Sequence, residues 1–84
     1  MSETAASARE LLEHIVKSVV EHPDEVEIDV DDSGEKVRLD VRVGDGDMGR
    51  VIGKRGRVAH SIRTLVRAAA VMDECDVDVE FVDQ

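Results

Sequence analysis

The chain has 84 residues, 20 of them acidic and 11 basic, for a net charge of −9. That length supports one domain, residues 1–84, around one core that buries about 60% of the unfolded surface. With no Trp or Tyr and Phe81 as the single aromatic residue, the core must be aliphatic. The single Cys75 excludes an intramolecular disulfide and a multi-cysteine metal site. No apolar run reaches the roughly 18 residues of a membrane span. Met1-Ser2-Glu3-Thr4 lacks the basic and apolar regions of a signal peptide, so a cytoplasmic protein without membrane contact is expected.

Met1 to Ala6 read as a frayed terminus. Ser7-Ala8-Arg9-Glu10 fits a capping box, with Ser7 at the N-cap and Glu10 three residues on. Leu11, Leu12, Ile15, Val16, Val19 and Val20 then share half of a helical wheel, against Glu10, Glu13, His14, Lys17 and Glu21. This is an amphipathic helix lying on a core. Pro23 ends it near His22, because proline disfavours helix in the residue before it.

From Glu25 the period becomes two. Val26, Ile28 and Val30 alternate with acids, Asp32-Ser33-Gly34-Glu35 is turn chemistry, and Val37, Leu39, Val41 and Val43 alternate with Lys36, Arg38, Asp40 and Arg42. The pattern predicts a hairpin, with an acidic outer face on one strand pairing a mostly basic one on the other. That pairing accounts for Lys36, Arg38 and Arg42 and removes them from any binding site. After the glycine-rich connection Gly44–Gly49, a short helix is expected over Met48–Ile52, then the Gly53–Gly56 loop, then a helix over Arg57–Met72. Val58, Ile62, Leu65, Ala69 and Met72 are expected on its buried face, and His60, Arg63 and Arg67 opposite. Val77, Val79 and Phe81 alternate with acids as a third strand. The order is α-β-β-α-α-β, an α+β fold.

Several motif matches fail on chemistry. Gly44-Asp45-Gly46-Asp47-Met48-Gly49 has dinucleotide-loop spacing, but Asp45 and Asp47 would repel a pyrophosphate and a doubly wound sheet does not fit the chain. Gly53-Lys54 resembles the end of a P-loop, but Met48 and Arg55 stand where Gly and Ser or Thr are needed. Asp29–Gly34 resembles a calcium loop, but Asp40 occupies the twelfth position and the flanks are strands. His14, His22 and His60 lie on different elements, and Cys75 has no base beside it in sequence. No catalytic constellation, metal site or cofactor motif is readable, so an enzyme is not expected.

One feature stands against the acidic background. Between Met48 and Met72 there is no Asp or Glu, while Arg50, Lys54, Arg55, Arg57, Arg63 and Arg67 all fall there. Charge concentrated in this way points to an anionic partner. At its centre, Gly53-Lys54-Arg55-Gly56 joins two helices. Glycines let a backbone approach closely, and the following helix start offers unpaired N–H groups and a positive dipole end to phosphate. Lys54 and Arg55 can flank a phosphodiester, and Val51, Ile52 and Val58 can wall an apolar groove for unstacked bases. The other reading at this level is a helix–turn–helix corner with a solvated basic surface. The sheet offers charged outer faces without aromatic platforms, unlike an RRM.

Val51-Ile52-Gly53-Lys54-Arg55-Gly56, followed by Val58, Ile62 and Leu65, resembles the core motif of KH domains, whose GXXG loop clamps about four nucleotides of backbone. The element order resembles the type II arrangement, a three-stranded sheet packed on one side by three helices. Gly49 to Arg57, with Ile62-Arg63-Thr64-Leu65-Val66-Arg67-Ala68-Ala69-Ala70, is similar to the bacterial KhpA family over Ala8–Val82. The resemblance implies a small cytoplasmic RNA-binding protein and RNA chaperone that self-associates. It also implies pairing with a larger KhpB/Jag-type protein, in regulation linked to cell elongation and peptidoglycan homeostasis. Carried over, the clamp is Gly53, Lys54, Arg55 and Gly56, the groove walls are Val51, Ile52 and Val58, and Arg50 and Arg57 flank the phosphates. The alternative is a dimerisation or adaptor module whose partner supplies the RNA contacts. The overall acidity departs from a nucleic-acid binder and favours a partner that adds positive charge.

Overall fold

The computed structural model describes residues 5–82. The elements are α1 (Ala6–Val19), β1 (Glu27–Asp31), β2 (Val37–Arg42), α2 (Met48–Ile52), α3 (Arg57–Met72) and β3 (Val77–Phe81). The sheet order is β1-β2-β3, with β1 antiparallel and β3 parallel to β2. The α+β class and the type II KH order expected from the sequence are both present.

The core is aliphatic, as the missing aromatics require. Leu12 and Val16 of α1, Val51 of α2, Ile62 and Val66 of α3, Leu39 and Val41 of β2, and Val77 and Val79 of β3 form one cluster. The hairpin register pairs Glu27 with Arg42, Val30 with Leu39, and Asp31 with Arg38. It also sets Asp29 opposite Asp40. That like-charge contact is relieved by arginines: Arg42 pairs with Asp29, and Arg38 reaches both Asp40 (3.0 Å) and Asp31 (3.3 Å). Arg38 and Arg42 are therefore spent on the sheet surface.

Several expectations need correction. Helix α1 starts at Ala6 rather than after Ser7, and Ala5 is already buried; Met1–Thr4 of the terminus read as frayed lie outside the described residues. No side chain of the expected capping box caps α1. The Asp73 carboxylate, from just beyond α3, accepts the N–H groups of Ser7 (3.3 Å) and Ala8 (3.1 Å) instead. Those bonds, that from Ala8 first, hold the Asp73 carboxyl below the usual carboxylate range.

At its other end α1 stops at Val19, before Pro23 acts, because a second carboxylate takes the next N–H groups, as described below. Strand β1 begins at Glu27, after a 3-10 turn over Pro23–Glu25, and Val30 on this edge strand stays exposed. On α3 the buried face is Ala59, Ile62, Val66 and Ala70. Leu65 and Met72, expected inside, are 53% and 81% exposed, and Val71 is 72% exposed. Alanines at 59 and 70 let α3 pack closely against its neighbours, which rotates the larger residues outward.

Candidate nucleic-acid interface

The Gly53–Gly56 turn joins α2 to α3 with three residues at positive φ. Gly53 has φ 76° and ψ 176°, Arg55 φ 56° and ψ 25°, and Gly56 φ 72° and ψ 15°. Only glycine adopts the first of these readily. The Gly53 N–H donates to the Gly49 carbonyl at 2.9 Å, closing α2, and the Gly56 N–H donates to the Gly53 carbonyl at 3.2 Å. A Cβ on Gly53 would lie 2.4 Å from Val58 Cγ2 and 3.0 Å from the Val58 nitrogen. The turn is thus folded hard against the start of α3. Gly56 occupies the N-cap position of α3, and no side chain caps that helix.

The cations of the acid-free window divide into two groups. Lys54, Arg55 and Arg57 are exposed and form no ion pair or side-chain hydrogen bond among the described residues. Arg50 is tied to Glu21 at 2.5 Å and to Asp47 at 3.5 Å, so it is not the free flanking contact that the sequence suggested. Arg67 reaches Asp78 at 3.5 Å, and the Arg63 Nε–H donates to the Val79 carbonyl at 3.1 Å. A cavity of about 600 Å³ beside the turn is lined by Arg55, Gly56, Arg57, His60, Ser61 and Arg63.

The expected apolar walls divide as well. Val51 is 0% exposed and belongs to the core, so it cannot wall a groove. Ile52 and Val58 are half-buried against the core and keep some surface near the turn. The Cys75 thiol is pushed up by burial and by Asp73 and Asp76, which keeps it protonated and poorly nucleophilic at neutral pH.

Asp47 escaped sequence reasoning. Its side chain is 1% exposed, yet it does not cap its own helix α2. It reaches back to the end of α1 and accepts the N–H groups of Glu21 and His22, each at 3.0 Å, with His22 Nδ1 also at 3.0 Å. Burial would raise the Asp47 carboxyl, but the Glu21 N–H and both groups of His22 hold it below the ordinary range. The same contact raises His22 above its ordinary value. One buried carboxylate therefore fixes the base of α2, and with it the glycine turn. The available signal was an Asp directly before a helix, which by itself suggests only a local cap.

The KhpA/KhpB KH-domain family model matches residues 9–81. The chain belongs to this family. An RNA-binding protein KhpA from Clostridium acetobutylicum is 45% identical over 74 residues, 88% of this chain and 99% of the relative. The Bacillus subtilis protein of the same name is 40% identical over 74 residues, 88% of this chain and 91% of its own. That of Leifsonia xyli is 47% identical over 68 residues, 81% and 90% of the two chains. A crystal structure of Era from Aquifex aeolicus matches with a TM-score of 0.69 at 15% identity, covering 99% of this chain and 31% of that one. At that identity the likeness to Era concerns the fold alone. The chain is thus a KhpA/KhpB-type KH domain, and all three of these relatives carry the name RNA-binding protein.

Proposed function

We infer that this protein grips a few nucleotides of single-stranded RNA by their phosphates at the Gly53–Gly56 turn, with Lys54 and Arg55 on either side and Arg57 beside them. Ile52 and Val58 supply apolar surface for the bases, and Arg50 contributes only after leaving Glu21. The observation that carries this reading is the division of the cations: those around the turn have no partner among the described residues, while the others of the window are engaged within the fold. The relatives named RNA-binding protein KhpA favour RNA over DNA as the strand. The family resemblance supports a role as an RNA chaperone in the cytoplasm. There it would act with a KhpB/Jag-type partner in post-transcriptional regulation connected to cell elongation and peptidoglycan homeostasis.

A second reading has its own support. Leu65, Val71 and Met72 are exposed on α3, Leu65 and Met72 on one side of it, and exposed large apolar residues favour self-association or an adaptor role. Both readings are tested by crosslinking RNA to the wild-type protein and to Lys54→Asp/Arg55→Asp, each with and without the partner, with sedimentation of the same samples. The clamp predicts lost crosslinks with sedimentation unchanged, and a wild-type salt slope of about −2 to −3 in log K against log salt for about three to four phosphates. Crosslinks equal in both proteins, or found only on the partner, would replace the clamp by the adaptor reading.

A further inference from the structure

The cavity beside the glycine turn continues past the clamp along α3. Arg55, Gly56 and Arg57 belong to the clamp, whereas His60, Ser61 and Arg63 form its far wall. No acid lines it. Arg63 stands six residues beyond Arg57, about 9 Å along the helix axis.

Arg63 differs from the cations at the turn, which project freely. Its Nε–H is committed to the Val79 carbonyl of β3 at 3.1 Å, and its guanidinium carbon lies 5.3 Å from the centroid of Phe81. Phe81 is the single aromatic side chain of the protein and packs against the core. The guanidinium is therefore held in one orientation between a fixed ring and an open cavity. A phosphate needs only a point charge, which Lys54 and Arg57 already provide. A planar guanidinium backed by an aromatic ring presents a flat cationic face, and unpaired bases stack on such faces.

We propose that Arg63, anchored by Val79 and backed by Phe81, is a stacking platform for one unpaired nucleobase of the strand held at Gly53–Gly56. This rests on the clamp reading of that turn. It gives the protein a stacking contact to one base in addition to the apolar surface of Ile52 and Val58 and the backbone contacts. Stacking on a flat face favours purines by area over any particular hydrogen-bonding edge.

The test compares full-length wild type, Arg63→Lys and Phe81→Leu for binding to oligoadenylate and to an abasic oligomer of the same length. The two ligands carry the same phosphates, so their affinity ratio isolates the bases. Lys keeps the charge and loses the plane; Leu keeps the core contact and loses the ring. The wild-type ratio should fall about fivefold or more in both variants, while abasic binding stays within about twofold. A ratio unchanged in folded Arg63→Lys overturns the platform and makes Arg63 a strap between α3 and β3. Should Arg63→Lys fail to fold, an unchanged ratio in Phe81→Leu overturns it equally. If wild type binds through Lys54 and Arg55 with no preference for bases over the abasic oligomer, the clamp stands and the platform falls. If neither oligomer binds, both fall.

Discussion

The two glycines of the turn look interchangeable in the sequence, but the structure makes them unequal. At Gly53 the backbone angles, φ 76° and ψ 176°, lie in a region where a side chain costs about 1–3 kcal/mol. An added Cβ there would also meet Val58 at Cγ2 (2.4 Å), Cβ (2.8 Å) and the backbone nitrogen (3.0 Å). The methyl can rotate away; the nitrogen moves only if the first turn of α3 moves. Such overpacking adds about 1–3 kcal/mol, so Gly53→Ala should cost about 3 kcal/mol or more. At Gly56, φ 72° and ψ 15° are left-handed helical, and an added Cβ meets nothing within 4 Å. Gly56→Ala should cost about 1 kcal/mol. Urea unfolding separates the two. With a slope near 1 kcal/mol per molar for a small domain, the midpoint should fall by about 3 M for Gly53→Ala and about 1 M for Gly56→Ala. A chain this size has about 4–12 kcal/mol to lose, so the first variant retains only part of its stability. Equal midpoints in the two variants would refute the close approach of Gly53 to Val58.

Two further expectations concern the carboxylates that hold the helices. The Asp73 carboxyl is held low by the N–H groups of Ala8 and Ser7, so its contribution is complete above the ordinary carboxylate value, about 3.9, and disappears as pH falls through the lowered one. Urea midpoints measured down the acid limb should therefore drop less steeply in Asp73→Asn than in wild type, from a lower starting value at neutral pH. His22 shifts the other way: raised by Asp47, it stabilises fully below about pH 6.5 and loses that contribution as pH rises through its higher folded value. NMR titration of the His22 ring should show a raised midpoint that falls in Asp47→Asn; an unchanged midpoint would mean that the His22–Asp47 bond does not form in solution.

Much of the fold was legible because period and punctuation agreed. The bounds Arg57–Met72 and Val77–Phe81 follow from an apolar repeat of three and four giving way to a repeat of two. The hairpin register follows from opposite charges on facing strands. What stayed hidden has physical reasons. Asp47 and Asp73 bind backbone N–H groups 25 to 66 residues away, and every residue but proline carries the same donor, so no partner leaves a mark in the sequence. Helix α2 has five residues, too few for a period to reveal that Val51 points inward. Helix α3 is apolar around most of its circumference, so its wheel fits both the expected face through Leu65 and Met72 and the observed one through Ala59 and Ala70.

The same distinction bears on the charge of the site. Read from the sequence, the acid-free window offers its partner every basic residue it contains. In the structure Arg50 pairs with Glu21 and Asp47, Arg67 meets Asp78, and Arg63 is bonded to β3, which leaves Lys54, Arg55 and Arg57 as the window's unpaired positive charge among the described residues. Three cations on a chain of net charge −9 make a shallow electrostatic well, since acids elsewhere repel the same strand within a Debye length of about 8 Å at physiological salt. Under the proposed clamp, affinity would therefore come from short-range terms: the close approach allowed by the glycines, the uncapped start of α3, and the proposed stacking along the cavity. On the proposed reading, a domain built in this way would bind a few nucleotides weakly by itself. It gains most when a second RNA-binding surface is joined to it, because the second contact is then made at high effective concentration.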